Sequence, residues 1–300
     1  MQENPLVSIV ITSYNQRNQL IRAIESVLNQ TYNNIQIVIA DDCSTKDDSK
    51  DVIKQYKLKY PDKIKPVFQT NNVGISKNKN TGFKACDGDY ITYLDGDDFY
   101  YKDKIKNEIK VFEDNTWADI VYSNFVFTDT EGKINKQWAT SNFKAIEGNI
   151  FNEVYARAFP KNTLYRCELT RKGILSSINY YDESLRTYED WDSRIRMTKT
   201  YKVAFSDYVG CAYVQDPSGI SKTSKRKLLL EDMKKVYLKN IDLLGNIQKE
   251  DRKVIEDKMK EYFSLNESKT KGFSALFYHI LNYPLKIGGY KALMTNLLNK

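Results

Sequence analysis

The densest group of reactive side chains is Asp95-Gly96-Asp97-Asp98, which follows the apolar run Tyr90 to Leu94 (YITYL). Three carboxylates within four residues repel one another unless a cation balances them. Asp95 and Asp97 are two apart and point the same way in extended chain, a spacing that suits a hard divalent ion such as Mg²⁺ or Mn²⁺ that also takes phosphate oxygens and water. The same residues read as an acidic turn if Gly96 only makes the bend. Asp41-Asp42 closes a second apolar run, Ile35 to Ala40, and can either accept hydrogen bonds from a base or ribose or cap the next helix, a task open also to Ser44 and Asp47. The stretch Asn71 to Asn80 (NNVGISKNKN), with Asn72 and Gly74 in its loop, offers Ser76 as a helix cap. Lys77 and Lys79 bracket the first turn, where helix dipole and amides favour phosphate. Glu189-Asp190, within RTYEDWD, is a candidate general base or a pair of acids that only complement a helix start.

Alternating elements must position these groups. Val7 to Ile11 (VSIVI) reads as a buried parallel strand that opens into the polar cluster Thr12, Ser13, Tyr14 and Asn15. Helical spacing of Leu20, Ile21, Ile24, Val27 and Leu28 predicts a helix over 19–28, and the strand 35–40 completes a βαβ unit. Helices over 47–60 and 75–86 and strands over 64–69 and 90–94 repeat the pattern, which indicates a doubly wound α/β sheet. Ligands of such sheets sit beyond the carboxyl ends of the strands, where the polar clusters fall. Further on, a helix over 103–113, a strand over 119–127, a helix opening at Glu189 and a strand over 202–206 are separated by a stretch, 130–185, without clear periodicity.

Composition limits the chemistry. One histidine, His279, among 300 residues leaves no room for a multi-histidine metal site, so the first 220 residues must work with Asp, Glu and Lys. The net charge of +7 resides in residues 221–300, which hold 17 basic and 9 acidic groups, whereas residues 1–220 hold 29 and 30. A near-neutral body argues against nucleic acid as a partner. Cys43, Cys86, Cys167 and Cys211 form no C-x-x-C pair, no signal-type run precedes Pro5, and no apolar stretch approaches the roughly twenty residues a membrane span needs. A cytoplasmic location is expected. Neither a dinucleotide G-x-G-x-x-G after the first strand nor a P-loop occurs.

In order, VSIVITSYN, QTYNNIQIVIADDCSTKDDS, NNVGISKNKNTGFKACDGDYITYLDGDD and YDESLRTYEDWDSRIRM resemble the inverting family 2 glycosyltransferases of the GT-A fold, over about 7–205. The resemblance implies a nucleotide-diphosphate sugar donor, with UDP the expected nucleotide, and Mn²⁺ or Mg²⁺. It places Thr12, Tyr14 and Asn15 at the nucleoside, with Tyr14 stacked on the base, and Asp41 and Asp42 on uracil or ribose. Asn72, Gly74 and Lys79 would border the nucleotide, Lys79 standing where the family often has Arg. Asp95 and Asp97 match the D-x-D motif, Asp95 toward ribose and sugar and Asp97 on the metal, with Asp98 and Glu189 near the donor sugar. Asp190 falls at the position of the catalytic base, and Asp216 stands roughly where many relatives carry a His, as a third oxygen for the metal.

These implications divide the chain into a GT-A domain over 1–220, with a nucleotide half over 1–100 and an acceptor half over 101–220, and a basic helical extension over 221–300. The acceptor would be a hydroxyl of a glycan or lipid-linked molecule in bacterial surface polysaccharide synthesis. A polyprenyl-phosphate glycosyltransferase of the same fold and a non-catalytic nucleotide-sugar-binding module are the alternatives. In the extension, Lys222, Lys225, Arg226, Lys227, Lys234, Lys235 and Lys239 could face anionic lipid on the inner side of the plasma membrane, with Phe273, Leu276, Phe277, Ile280, Leu281 and Leu285 as an anchor. The other reading is a helical extension that packs on the body or on a second copy.

Overall fold

A computed structural model describes residues 4–140, 145–157, 166–217 and 226–298. The polar run 218–221, Lys222 and Lys225 lie outside the described residues, as do the side chain of Phe273 and parts of the stretch 130–185. The apolar, β-branched runs form the strands β1 (Val7–Ser13), β2 (Ile35–Asp41), β3 (Ile64–Phe68) and β4 (Tyr90–Asp95), paired in parallel in the order β3-β2-β1-β4. Helices α1 (Arg17–Leu28), α2 (Ser49–Lys59) and α3 (Ile75–Lys84) connect them. All seven residues of β1 are buried, as a strand covered on both faces requires.

Beyond β4 the sheet becomes mixed. The order continues β8 (Leu169–Arg171), β6 (Ile120–Thr128), β9 (Val203–Val214) and β5 (Phe99–Tyr100), with β7 (Ile134–Gln137) added to β6. Strand β8 runs antiparallel to both β4 and β6, while β6 and β9 are parallel. The strand expected to end at 206 continues to Val214, because the polar stretch Ser206 to Tyr208 is a bulge. There the pairing steps from Ser123↔Ser206 to Asn124↔Val209. Helix α4 (Lys104–Asp114) packs under this half, and α5 (Phe151–Tyr155), α6 (Ile174–Ser177) and α7 (Glu189–Thr198) complete the body.

The extension forms helices Arg226–Lys239, Lys249–Lys271, Phe273–Asn282 and Ile287–Leu298. Leu230, Met233, Val236, Leu244, Ile255 and Met259 join the hydrophobic core of the body. Polar contacts reinforce that docking: Asp232 accepts hydrogen bonds from Arg186 and Thr187 (both 2.9 Å), and Asn240 donates to Asp192 (2.8 Å). For Lys234, Lys235 and Lys239 the contacts favour the second reading, an extension packed on the body. Lys239 binds Asp182 at 2.8 Å and Asp192 at 3.0 Å, Lys235 donates to Ser184, and Lys234 pairs with Glu267, so these ammonium groups join the extension to itself and to the body.

Register brings the reactive strand ends level: Ser13 pairs with Asp41, and Thr12 with both Ala40 and Asp95. Gly96 then turns so tightly over β1 that a Cβ there would lie 2.2 Å from the Thr12 carbonyl oxygen. Gly96→Ala is expected to destabilise the fold by about 1–3 kcal/mol in urea denaturation, because the obstacle is backbone. Unchanged stability would mean that the turn can relax away from β1.

Candidate active site

The loops after β1 and β2 are tied together. Asn15 Oδ1 accepts the Thr45 and Lys46 amides (2.9 Å each), Ser44 Oγ accepts the Asn15 amide, and Asp47 accepts the amides of Arg17 at the start of α1 and Ser49 at the start of α2. Asn15 and Cys43 adopt left-handed φ of 51° and 64°, a conformation that Asn tolerates well and other side chains seldom take. Tyr14 stands at the end of β1 with 45% of its surface exposed, whereas Thr12 is buried.

The two acids at the end of β2, Asp41 and Asp42, turn to their own surroundings. Asp41 accepts the Ser44 amide and hydroxyl, and Asp42 accepts the amides of Val73 (2.7 Å) and Gly74 (3.0 Å). Burial nevertheless raises the Asp42 pKa, outweighing those two amides. One expectation for the 71–80 stretch is corrected: Ser76 lies inside α3, donating to the Leu185 carbonyl instead of capping, while Asp42 takes the two amides just ahead of the helix. Gly74, at φ 86°, permits the entry to α3, while Asn72 is exposed beside it.

Lys79 is not the solvent-facing lysine its helix position suggests. It is 2% exposed, 2.8 Å from Asp95 and 3.9 Å from Glu189, with its ammonium 4.3 Å from the centre of the Tyr93 ring. Helix α3 turns inward because its polar face is fully engaged: Asn78 donates to the Ala40 carbonyl, and Asn80 exchanges hydrogen bonds with the backbone of Tyr181.

Two further cations lie at the same edge, and neither was identified from sequence. Arg166 reaches Asp95 at 3.2 Å and Asp98 more closely still, with its guanidinium 4.0 Å from the centre of the Tyr213 ring. Arg194 binds Glu168 with a fork of two nitrogens (3.2 and 3.1 Å), the Tyr93 hydroxyl (2.8 Å) and Asp190 (2.8 Å). The four-residue step from Asp190 to Arg194 along one helix could have revealed that pair. Arg166 and Glu168, in the aperiodic stretch before β8, gave no such signal.

Electrostatics separate the carboxyl groups. Burial tends to raise Asp95, but Lys79 and Arg166 hold it below the ordinary carboxylate range. Burial pushes Asp98 up to about 7 in spite of Arg166, and pushes Glu189 up to about 7 in spite of Lys79, with Asp190 adding repulsion. Asp190, whose side chain is 35% exposed, goes the other way: burial opposes ionisation, yet Arg194, Lys79 and Arg157 together keep its pKa low. It sits in the first turn of α7, entered through Tyr188 at φ 62°. Asp97 is raised by burial and by Asp95, and among the described residues no cation lies within ion-pair distance of it. Arg22 fixes only its carbonyl (2.7 Å).

A carboxylate in that condition fits a divalent ion shared with phosphate oxygens and water, a coordination that needs only one or two protein oxygens. The three-carboxylate set of Asp95, Asp97 and Asp216 does not form. Among the described residues no group of three or more acids, histidines or cysteines that could hold a metal ion occurs, and Asp95 is instead bound to Lys79 and Arg166.

Comparison with known proteins follows the same outline. Residues 8–174 match the profile of glycosyl transferase family 2. An uncharacterised glycosyltransferase of Nostoc sp. is 42% identical over 116 residues, covering 39% of this chain and 35% of its own length, and one of Rickettsia typhi is 32% identical over 210 residues, covering 69% and 63%. The chain thus spans only about a quarter to a third of the first curated relatives it matches. Among solved structures, S. aureus TarS 1–349 in complex with UDP-GlcNAc superposes with a TM-score of 0.68 at 18% identity, covering 97% of this chain and 79% of that one. The mannosyltransferase PcManGT of Pyrobaculum calidifontis, in complex with GDP-Man and Mn²⁺, gives 0.63 at 15%, covering 100% and 89%. At such identities the likeness establishes the fold, a GT-A-like mixed α/β sheet with C-terminal helices. With more than half of its length matched by the family profile, this chain belongs to glycosyl transferase family 2.

Proposed function

We propose that the protein is an inverting glycosyltransferase that moves a sugar from a nucleotide-diphosphate donor, with UDP as the nucleotide, to a hydroxyl of a glycan or lipid-linked acceptor in bacterial surface polysaccharide synthesis. The observation that carries the reading is Asp190, a partly exposed carboxylate kept ionised by Arg194 at the same sheet edge as Asp95 and Asp97. Residues 1–220 form the catalytic unit in this reading. Residues 221–300 are its extension, in peripheral contact with the cytoplasmic face of the membrane.

Tyr14 offers its exposed ring to the base, and Asp42, positioned by the Val73 and Gly74 amides, keeps lone pairs for base or ribose. Asp97 and the donor phosphates would hold Mn²⁺ or Mg²⁺, which when bound neutralises charge on the departing diphosphate. Asp190 removes the acceptor hydroxyl's proton as that oxygen attacks the anomeric carbon. One base on the attacking side gives inversion. Glu189, whose pKa burial raises to about 7, is protonated below that value and there presents no second negative charge to the incoming oxygen.

Asp190→Asn is expected to leave UDP-sugar binding within about twofold of wild type, as read by calorimetry, while transfer falls by about 10²-fold or more. Asp97→Ala should instead weaken Mn²⁺-dependent UDP binding itself. Transfer undiminished in Asp190→Asn would remove the base assignment.

Replacing Arg194 withdraws the main cation beside Asp190, so the acid limb of the kcat/KM profile should move to higher pH. Arg194→Lys shows the milder shift and Arg194→Met, with Glu168→Gln to relieve the buried partner, the larger one. An unmoved acid limb in both would sever Arg194 from the base.

Glu189 also links stability to pH. Its folded pKa of about 7 exceeds the ordinary 4.5, so between those values the folded state binds more protons than the unfolded. Its contribution to stability falls as pH rises from about 4.5 to 7 and levels off above that. Glu189→Gln should flatten that part of the urea midpoint against pH, and an unchanged slope would argue against the raised pKa.

A further inference from the structure

The end of the extension buries one apolar face and exposes another. Helix Phe273–Asn282 packs Leu276, His279 and Ile280 inward against its neighbouring helices, yet Phe277, Tyr278 and Leu281 on its other side are 52, 68 and 64% exposed. Leu285, in the turn that follows, is 92% exposed, and Tyr290 and Met294, one helical turn apart on helix Ile287–Leu298, are also open. A helix apolar on both faces is stable only when both are covered, and an exposed cluster of this kind marks a contact surface.

Charge identifies the cover. No Asp or Glu occurs from Ser268 to Lys300, whereas Lys269, Lys271, Lys286, Lys291 and Lys300 all fall there. Residues 261–300 hold five lysines and two carboxylates, Glu261, which pairs with Lys286, and Glu267, which pairs with Lys271 and Lys234. A symmetric contact with a second copy would set these lysines against their own counterparts. An anionic bilayer meets both requirements at once, since it takes apolar side chains below the headgroups and lysines among them.

We propose that the face carrying Phe277, Tyr278, Leu281 and Leu285 is the membrane-contacting surface, seated on anionic lipid without crossing the bilayer. It deepens the peripheral attachment proposed above by moving it from Lys234, Lys235 and Lys239, which are engaged within the protein, to the last two helices. Among the described residues no helix is long and apolar enough to span a membrane.

The test is flotation of the full chain with vesicles of phosphatidylcholine containing phosphatidylglycerol, beside vesicles of phosphatidylcholine alone. Wild type should float with the anionic vesicles and remain largely unbound with the neutral ones. Phe277→Glu/Leu281→Glu, at exposed sites and checked for native circular dichroism and UDP binding, should lose about tenfold or more of the partition. If wild type stays unbound, attachment itself fails. If wild type and the double variant float equally, attachment stands and this face does not carry it. Equal binding to neutral vesicles would overturn the role of anionic headgroups, and a dimer in light scattering that the double variant dissolves would show that a second copy covers the face.

Discussion

Each of three cations at the carboxyl edge of the sheet bridges two acids: Lys79 joins Asp95 and Glu189, Arg166 joins Asp95 and Asp98, and Arg194 joins Glu168 and Asp190. Without them the carboxyl groups would repel one another at short range in a poorly solvated place, and the usual escape, protonation, would erase their chemistry. The bridges also link elements distant in sequence, since Lys79 comes from α3, Asp95 from β4 and Glu189 from α7. The site is therefore held by charge as much as by the packing beneath it. Asp97 lies outside this arrangement, which is why it is the carboxylate suited to an exchangeable ion.

The parallel half of the fold was open to sequence reading because its strands are buried on both faces and spell out continuous apolar runs, as VSIVI, IQIVIA and YITYL do. The acids that end those runs were visible for the same reason. Their counterions were not. Lys79 has the sequence neighbourhood of a solvated helix, and only the docking of Asn78 and Asn80 turns it inward. Arg166 and Glu168 lead into a three-residue strand, too short for any periodicity to register. In β9 a bulge interrupts the alternation that would have extended the strand past 206.

The charge surplus of the extension shows how a sum can mislead. Most of its lysines up to 239 whose contacts are described act as fasteners, binding Asp182, Asp192, Ser184 and Glu267. Electrostatic attraction to an outside surface depends on where acids are missing, and that place is the last thirty or so residues. Position along the chain, rather than total charge, separates the part that docks from the part left to meet something else.

The clasp among Asn15, Ser44 and Asp47 has a consequence for the thermodynamics of donor capture. With Asn15 holding two amides of the neighbouring loop and Asp47 holding the starts of both α1 and α2, the two loops form one rigid rim before any ligand arrives. If the nucleoside enters there as proposed above, it need not freeze two independent segments, so ordering entropy that commonly erodes affinity is already lost on folding.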